Sequence, residues 1–415
     1  MTSKVLDLQS DLNSFQRGLI QNAQSWGEKE LEPVIAKHWE NATFPSNSFS
    51  SFVEQCPNLI GYTLPKKYGG KGYDLLTSCH ISRTLASIDA SFTTSLLVQY
   101  GLACESILLC GNEDQKNRFL PSMAKLDYLG CFCLTEPQSG SDASDLRTTA
   151  HKVPGGYHIS GSKRWIGNAL SAEVFVVWAR NMSIDGNPVM GFVLQRSHQQ
   201  KNPAAIATTK IEGKISLRIV QNANVEFRNA FCPDDNVMMD YVGFGPSVGR
   251  VLEASRISVA WVPVGICMGA VEKTITYANE RDAFGAVLSS NQLIQEKLAR
   301  MTAMVASMYL LIERVTKDFI NEQCSLAAIS MAKAYNTRIG REIVAICREI
   351  LGGNGIVLDY GIASKFCDME SAYTYEGTYD ICMLVCGRTL TGISAIKSAT
   401  AMQNKSKTRQ QRSKL

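Results

Sequence analysis

A chain of 415 residues is too long for one ordinary hydrophobic core, so two or three packed units are expected. Its 45% hydrophobic and 19% charged content excludes an intrinsically disordered chain. The net charge of +4 comes from the last fifteen positions, where Lys405, Lys407, Arg409, Arg412 and Lys414 face no acid; the remaining 37 basic and 38 acidic residues leave no basic surface for nucleic acid.

Residues 1–130 read as an N-terminal helical domain. Apolar residues recur with helical period in Leu6–Ala36, Leu75–Ile88 and Thr93–Leu109, punctuated by Gly69-Gly70-Lys71-Gly72 and Cys110-Gly111-Asn112. Residues 131–240 change character. Short alternating or β-branched runs at Tyr157–Trp165, Ala172–Ala179, Met190–Leu194 and Ala223–Phe227, separated by turn residues, predict a small antiparallel β domain. From 245 to 396 helical patterns return over Val251–Arg281, Asn291–Glu322, Ser325–Leu351 and Tyr379–Ile396, enough for a four-helix bundle. The fold class is therefore mainly α with a middle β domain, α+β overall. The longest apolar run considered, Met304–Ile312, is far short of a membrane span, and Met1–Ser10 has no signal-peptide core. Residues 397–415 read as a solvated basic tail. Its last three residues, Ser413-Lys414-Leu415, form the tripeptide read by the peroxisomal import receptor.

Thirteen cysteines without a secretion signal suggest reduced thiols used as small core residues, and five scattered histidines show no metal spacing. The run Gly243-Phe-Gly-Pro-Ser-Val-Gly249 is one residue too long for a dinucleotide fingerprint and lies outside any βαβ unit. Walker A and HExxH motifs are missing from the sequence. Gly352 and Gly353 can be a plain helix C-cap or a place where backbone approaches an anion. Thr135–Asp142 offers hydroxyls and amides in a turn and can be any polar loop. Glu376, in Tyr373-Thr-Tyr-Glu-Gly-Thr-Tyr-Asp380, has no basic neighbour in sequence. It is either a solvent-facing helix-start glutamate or a partly buried general base with a raised pKa.

Together, Cys133-Leu-Thr-Glu-Pro-Gln-Ser-Gly-Ser-Asp142, Lys163-Arg-Trp-Ile-Gly-Asn168, Glu280-Arg-Asp-Ala-Phe-Gly285 with Gln292, Leu351-Gly-Gly-Asn-Gly355 and Tyr375-Glu-Gly-Thr378 resemble the acyl-CoA dehydrogenase and oxidase superfamily, in family order and over most of the chain. Lys214–Asn222, Ser255–Trp261 and Tyr373–Ile381 look most like glutaryl-CoA dehydrogenases and plant-type peroxisomal short-chain acyl-CoA oxidases. The resemblance implies FAD as cofactor and acyl-CoA as substrate. Glu376 would remove the α-proton while the β-hydrogen leaves as hydride to the flavin, with Arg256 a buried cation steadying it. Phe132 to Ser141 would line the flavin and the thioester end of CoA, Leu134 and Thr135 on the flavin. Phe132, Ser141, Arg256 and Gly377 would touch the substrate. Trp165, with Ile166 and Gly167, would cover the flavin face opposite it. Arg281, Phe284, Gln292, Gly352 and Gly353 would reach the FAD of a neighbouring subunit, making a homodimer or homotetramer. Thr378, Tyr379 and Asp380 would close over the cofactor.

Two departures bear on the electron acceptor and the substrate. Gly167 stands where many dehydrogenases of the family carry Thr or Ser, which would open space for molecular oxygen beside the flavin. The stretch Phe92–Gln99 lacks the arginine with which glutaryl-type enzymes pair a distal carboxylate. Burying that carboxylate unpaired costs several kcal/mol, roughly, so a dicarboxylic substrate is disfavoured. The expected function is a peroxisomal short-chain acyl-CoA oxidase releasing hydrogen peroxide. The alternatives are a peroxisomal dehydrogenase with another acceptor and a non-catalytic flavin- and acyl-CoA-binding module.

Overall fold

The computed structural model describes residues 5–199 and 202–395, so the basic tail and Ser413-Lys414-Leu415 lie outside the described residues. The first helix, α1 (Ser14–Trp26), opens with a reciprocal cap: the Asn13 side chain accepts from the Gln16 amide, and the Gln16 side chain from the Asn13 amide. A wide turn at Gly27–Leu31 separates α1 from α2 (Glu32–Glu40), so the predicted run Leu6–Ala36 is two helices. At that turn a Cβ on Gly27 would stand 2.8 Å from Ile88 Cγ1, which is why the chain carries glycine there. After α3 (Ser48–Gln55), α4 (Leu75–Ile88) has the predicted bounds; Asp74 caps its start by accepting from the Thr77 amide at 2.8 Å. Asp89 ends α4 and caps α5 (Ala90–Leu97). A second wide turn, Val98–Cys104, joins α5 to α6 (Glu105–Cys110), and α7 (Glu113–Ala124) follows.

The middle of the chain forms an eight-stranded sheet. The predicted strands appear as β3 (Gly156–Ile166), β4 (Val174–Asn181), β5 (Val189–Gln195) and β7 (Ala223–Pro233). To these the structure adds β1 (Gly130–Cys133), β2 (Thr149–Val153), β6 (Ile206–Lys210) and β8 (Val237–Met238). The order is β6-β7-β3-β2-β4-β5-β8, with β1 also on β4. The sheet is not wholly antiparallel: β1 and β2 both pair parallel to β4. Val174, Val176 and Trp178 of β4 pack into the N-terminal helices, while Phe175, Val177 and Ala179 pack into the sheet's own core. Burial on both faces explains why β4 reads as an unbroken apolar run.

Next comes α8 (Arg250–Glu280), then the short hairpin β9 (Asp282–Ala283) and β10 (Ala286–Val287), α9 (Gln292–Ile320) and α10 (Leu326–Ile350). The sequence reading passed over α11 (Ile362–Thr374), which completes the bundle with α8, α9 and α10; α12 (Tyr379–Thr391) lies against α10. At thirteen residues, α11 carries Lys365 and Asp368 on its buried face, and that polarity masks its helical period. The expected end of α12 at 396 is also corrected: Gly392 takes a left-handed conformation (φ +70°) and stops the helix.

Two helical stretches, Ala90–Cys110 and Gly245–Glu280, are long and apolar enough to cross a membrane, against the sequence expectation of no such run. Their apolar windows are 72% and 78% buried inside the protein, as core helices are. The thirteen cysteines are free, and among the described residues no group of His, Cys, Asp and Glu is placed to hold a metal ion.

The contact of α8 with α4 joins the first and last parts of the chain. A Cβ on Gly269 would lie 2.0 Å from the Ser87 carbonyl oxygen, and one on Gly265 2.3 Å from that of Arg83. Helix propensity favours alanine over glycine by about 1 kcal/mol, but forced overpacking costs about 1–3 kcal/mol. With backbone as the obstacle, overpacking dominates. Gly269→Ala is expected to lower stability by about 1–2 kcal/mol, read by chemical denaturation; an unchanged or higher midpoint would refute this close approach.

Candidate active site

The segment after β1 is shaped by a buried ion pair. Glu136 and Lys163, 2% and 0% exposed, meet at 2.9 Å. The Glu136 carboxylate also accepts from the Arg147 amide (2.7 Å), the Thr148 amide (2.9 Å) and the Thr148 hydroxyl (2.6 Å). Lys163 donates in addition to the carbonyls of Leu134 (2.9 Å) and Trp178 (2.8 Å). Burial pushes the Glu136 pKa up, but Lys163 and these donors outweigh it and hold the carboxyl below its ordinary value. Burial likewise draws the Lys163 pKa down. With five charge-assisted bonds on the carboxylate, the fifth from the Gln138 side-chain amide at 2.8 Å, and three on the ammonium, the ionised pair is the stable form. The Arg164 amide donates to the Thr135 carbonyl at 2.8 Å, tying the segment to β3.

That scaffold leaves Leu134 buried, Phe132 and Thr135 half-buried and Ser141 exposed, beside the end of β3. There Trp165 sits in the left-handed region (φ +65°) with half its surface exposed, the Arg164 guanidinium 5.0 Å from its ring. Ile166 and Gly167 are buried, and Asn168 donates to the Ser95 carbonyl of α5 at 3.0 Å. The expectation that Gly167 opens space needs correction. A Cβ there would come within 3.1 Å of Val98 Cγ2, so Val98 already fills part of the volume a larger residue would use.

Glu376 sits in a turn between α11 and α12, itself left-handed (φ +55°) and followed by Gly377 (φ +94°). Ser255 donates to its Oε2 at 3.1 Å. Arg256 is half-buried rather than buried, and its Nε donates to the Glu376 carbonyl (3.2 Å), so it steadies the backbone of the turn while its Nη1 reaches Ser330 (3.3 Å). Burial raises the pKa of Glu376; Arg256, Ser255 and Lys333 pull the other way without reversing it. The rings of Tyr373 and Tyr379 stack at 5.3 Å across the turn. Thr378 accepts from the Ile381 amide as the cap of α12, with Asp380 exposed in its first turn. Sequence reading found no basic neighbour for Glu376; the fold supplies Arg256 from α8 and Lys333 from α10. Ser255 and Lys333 were both missed. The available signal for Lys333 was position: Ile329, Asn336 and Gly340, on its own side of α10, are all buried.

The structure does not bring all the expected residues together. Arg281, Phe284, Gln292, Gly352 and Gly353 lie exposed at the ends of α8, α9 and α10, with no hydrogen bond to the Glu376 turn among the described residues. Phe284 is fully exposed at the tip of the β9–β10 hairpin in a left-handed conformation (φ +55°). Gly352 is also left-handed, and a Cβ on it or on Gly353 would meet open space.

Three domain models describe the chain: the acyl-CoA dehydrogenase N-terminal domain over residues 13–127, middle domain over 131–230 and C-terminal domain over 243–391. An acyl-CoA dehydrogenase of Bacillus subtilis is 30% identical over 372 residues, 89% of this chain and 96% of that protein. The mitochondrial short-chain specific acyl-CoA dehydrogenase of Bos taurus is 30% identical over 377 residues, 90% of each chain. The structure of a glutaryl-CoA dehydrogenase from Mycobacterium smegmatis in complex with FADH2 superposes with a TM-score of 0.89 at 29% identity, covering 95% of this chain and 99% of that one. The chain belongs to the acyl-CoA dehydrogenase family and is an oxidoreductase acting on a CH–CH bond.

Removing one partner of a buried ion pair leaves the other charge uncompensated, at a cost of about 3–5 kcal/mol. Glu136→Ala should therefore unfold well below the parent in a thermal melt. The depressed pKa of Glu136 also makes a pH signature: its stabilisation is present above the unfolded value of about 4.3 and lost as pH falls through the lower folded value. Glu136→Gln should remove that acid-dependent part; a melt whose pH dependence matches the parent would contradict the assignment.

Proposed function

We propose that the protein is an FAD-dependent acyl-CoA oxidase of the peroxisome, converting short straight-chain acyl-CoA to trans-2-enoyl-CoA and hydrogen peroxide. The carrying observation is Glu376: a half-buried carboxylate with raised proton affinity, one oxygen held by Ser255. Such a group is a stronger base when ionised than a solvated carboxylate, suited to a weakly acidic α-carbon. It takes the α-proton; the β-hydrogen departs with its electron pair, and the carbon–carbon double bond forms. The Glu376 amide is the candidate donor to the thioester oxygen as charge develops there. Bound FAD supplies the two-electron acceptor, and in the oxidase reading oxygen takes those electrons and two protons to become peroxide.

The residues fit FAD. A flat ring has an exposed aromatic face at Trp165, and the Thr135 carbonyl is tied to the adjoining Arg164 amide. A phosphate-bearing group has open backbone at Gly352 and Gly353, and the exposed Arg281 has no ion pair among the described residues. The full exposure of Phe284, three residues beyond Arg281, supports a homodimer or homotetramer in which this hairpin meets a second copy.

Three features support the finer reading. Gly167 carries no hydroxyl beside the proposed flavin position. In α5 the hydroxyls of Thr93, Thr94 and Ser95 are turned onto carbonyls one turn back, and the stretch Phe92–Gln99 holds no cation for a distal carboxylate. Ser413-Lys414-Leu415 matches the tripeptide read for peroxisomal import. A second reading, a dehydrogenase passing electrons to another acceptor, is favoured by the named relatives, all dehydrogenases, and by Val98 crowding Gly167.

Glu376→Gln is expected to abolish turnover while FAD and acyl-CoA still bind; substantial residual turnover would remove Glu376 from the base role. Because the base must be ionised and its pKa is raised, the parent should lose activity on acidification at a pH above the ordinary carboxylate value of about 4.3. Peroxide formed per enoyl-CoA, measured in air with butyryl-CoA and no added acceptor, decides the acceptor. A ratio near one with sustained turnover supports the oxidase. Flavin bleaching with negligible peroxide rejects it in favour of the dehydrogenase.

A further inference from the structure

The turn that carries Glu376 is held from the α10 side by a lysine. Lys333 is fully buried in the first half of α10 and forms no ion pair among the described residues. Its ammonium donates to the carbonyl of Tyr375 at 2.8 Å and to the carbonyl of Gly377 at 2.5 Å, the two peptide oxygens on either side of Glu376. We propose that Lys333 is a positioning residue for the base: by clamping both flanking carbonyls it holds Glu376 in its left-handed turn and aims the carboxylate. This rests on the reading of Glu376 as the base.

The physical argument runs through strain and charge. A non-glycine residue in the left-handed region costs about 1–2 kcal/mol and persists only where its surroundings over-determine it. Here the surroundings are specific. Lys333 binds the carbonyl before and after, Arg256 binds the carbonyl of Glu376 itself, and the Cys382 thiol donates to the Gly377 carbonyl at 3.5 Å. Three successive carbonyls, of residues 375, 376 and 377, are thereby bonded to cations. The groups facing the Lys333 ammonium are Glu376 in the turn, Arg256 from α8, Cys382 from α12 and the Tyr375 ring, 6.0 Å from the ammonium to the ring centre. Burial draws the Lys333 pKa down to about 8, so the ammonium is still largely charged at neutral pH. Its positive charge in turn lowers the proton affinity of Glu376, against the burial that raises it. A buried lysine offered only for stability has no need to straddle this one residue, since any pair of carbonyls would serve.

The test uses the full-length, FAD-loaded protein with Lys333→Met, which removes charge and donors, and Lys333→Gln, which keeps an amide donor without the charge. Anaerobic reduction of the flavin by butyryl-CoA is followed by stopped flow across pH, and deuterium exchange of the peptide spanning residues 373–380 is followed by mass spectrometry. Positioning predicts a reduction rate lowered roughly 10- to 100-fold in Lys333→Met, with substrate dissociation constant and FAD content near the parent's. It predicts an acidic limb moved to higher pH in both variants, because both lose the charge. Lys333→Gln should recover part of the rate, and exchange should rise in the 373–380 peptide alone. Parent-like rates and an unmoved acidic limb in both variants overturn the proposal. So does loss of FAD and of cooperative unfolding in both, which would make the lysine purely structural. Glu376→Gln run alongside separates the two readings: if it still reduces the flavin, the base assignment fails and the clamp with it, whereas an inert Glu376→Gln beside parent-like Lys333 variants overturns the clamp alone.

Discussion

The ion pair between Glu136 and Lys163 is the constraint on which the sheet side of the site depends. A charge taken out of water costs several kcal/mol, and here two are enclosed with almost no exposure. They are tolerated because every contact is used: the carboxylate gathers the Arg147 and Thr148 amides and the Thr148 hydroxyl, and the ammonium gathers two carbonyls. The result joins β1, β3, β4 and the strand-entry residues 147–148 at one point. Any slip of the Thr135–Ser141 segment would strand a charge, so the segment has one low-energy course. That course lays Thr135 against Arg164, the residue before Trp165.

The helical side of the site is organised by an analogous device with a different purpose. Around Glu376 the cations Arg256 and Lys333 bind peptide carbonyls, leaving the carboxylate to a neutral hydroxyl. A direct salt bridge would have lowered the proton affinity of Glu376 and weakened it as a base. Placing the positive charges on the backbone gives rigidity while burial still raises the pKa. Trp165, Phe284 and Glu376 share a further trait: each is a large non-glycine residue in the left-handed region. Such conformations gather where a side chain must be aimed, and two of these three are also unusually exposed aromatics.

The α5 helix links the two sides. Asn168 hydrogen-bonds to Ser95, Gly167 abuts Val98, and Thr94 lies near enough to Tyr375 to lower its phenol's pKa against the burial that raises it. The wide turn beginning at Val98 lies at the junction, where an extra residue in the helical turn re-aims side chains that a regular helix would carry elsewhere. Access to the region beside Gly167 is consequently a property of two segments, and a glycine at 167 does not by itself set how much room there is.

Read alone, the sequence determined the α, β, α order, the bounds of α4, the strands β3, β4, β5 and β7, and the peptide segments that bear the site. Those features rest on local periodicity, turn residues and motif spacing, all of which are written along the chain. It could not determine the parallel pairing of β1 and β2 with β4, because short strands such as Gly130–Cys133 acquire their identity only from a partner. Nor could it distinguish the buried-base from the surface reading of Glu376, since the deciding groups, Ser255, Arg256 and Lys333, lie more than forty residues away along the chain. α11 escaped notice because Lys365 and Asp368 face inward, where they bind carbonyls of Ser87 and Ile88 and the amide of Leu217. Burial and through-space charge belong to the tertiary structure, and their balance is what raises the proton affinity of Glu376.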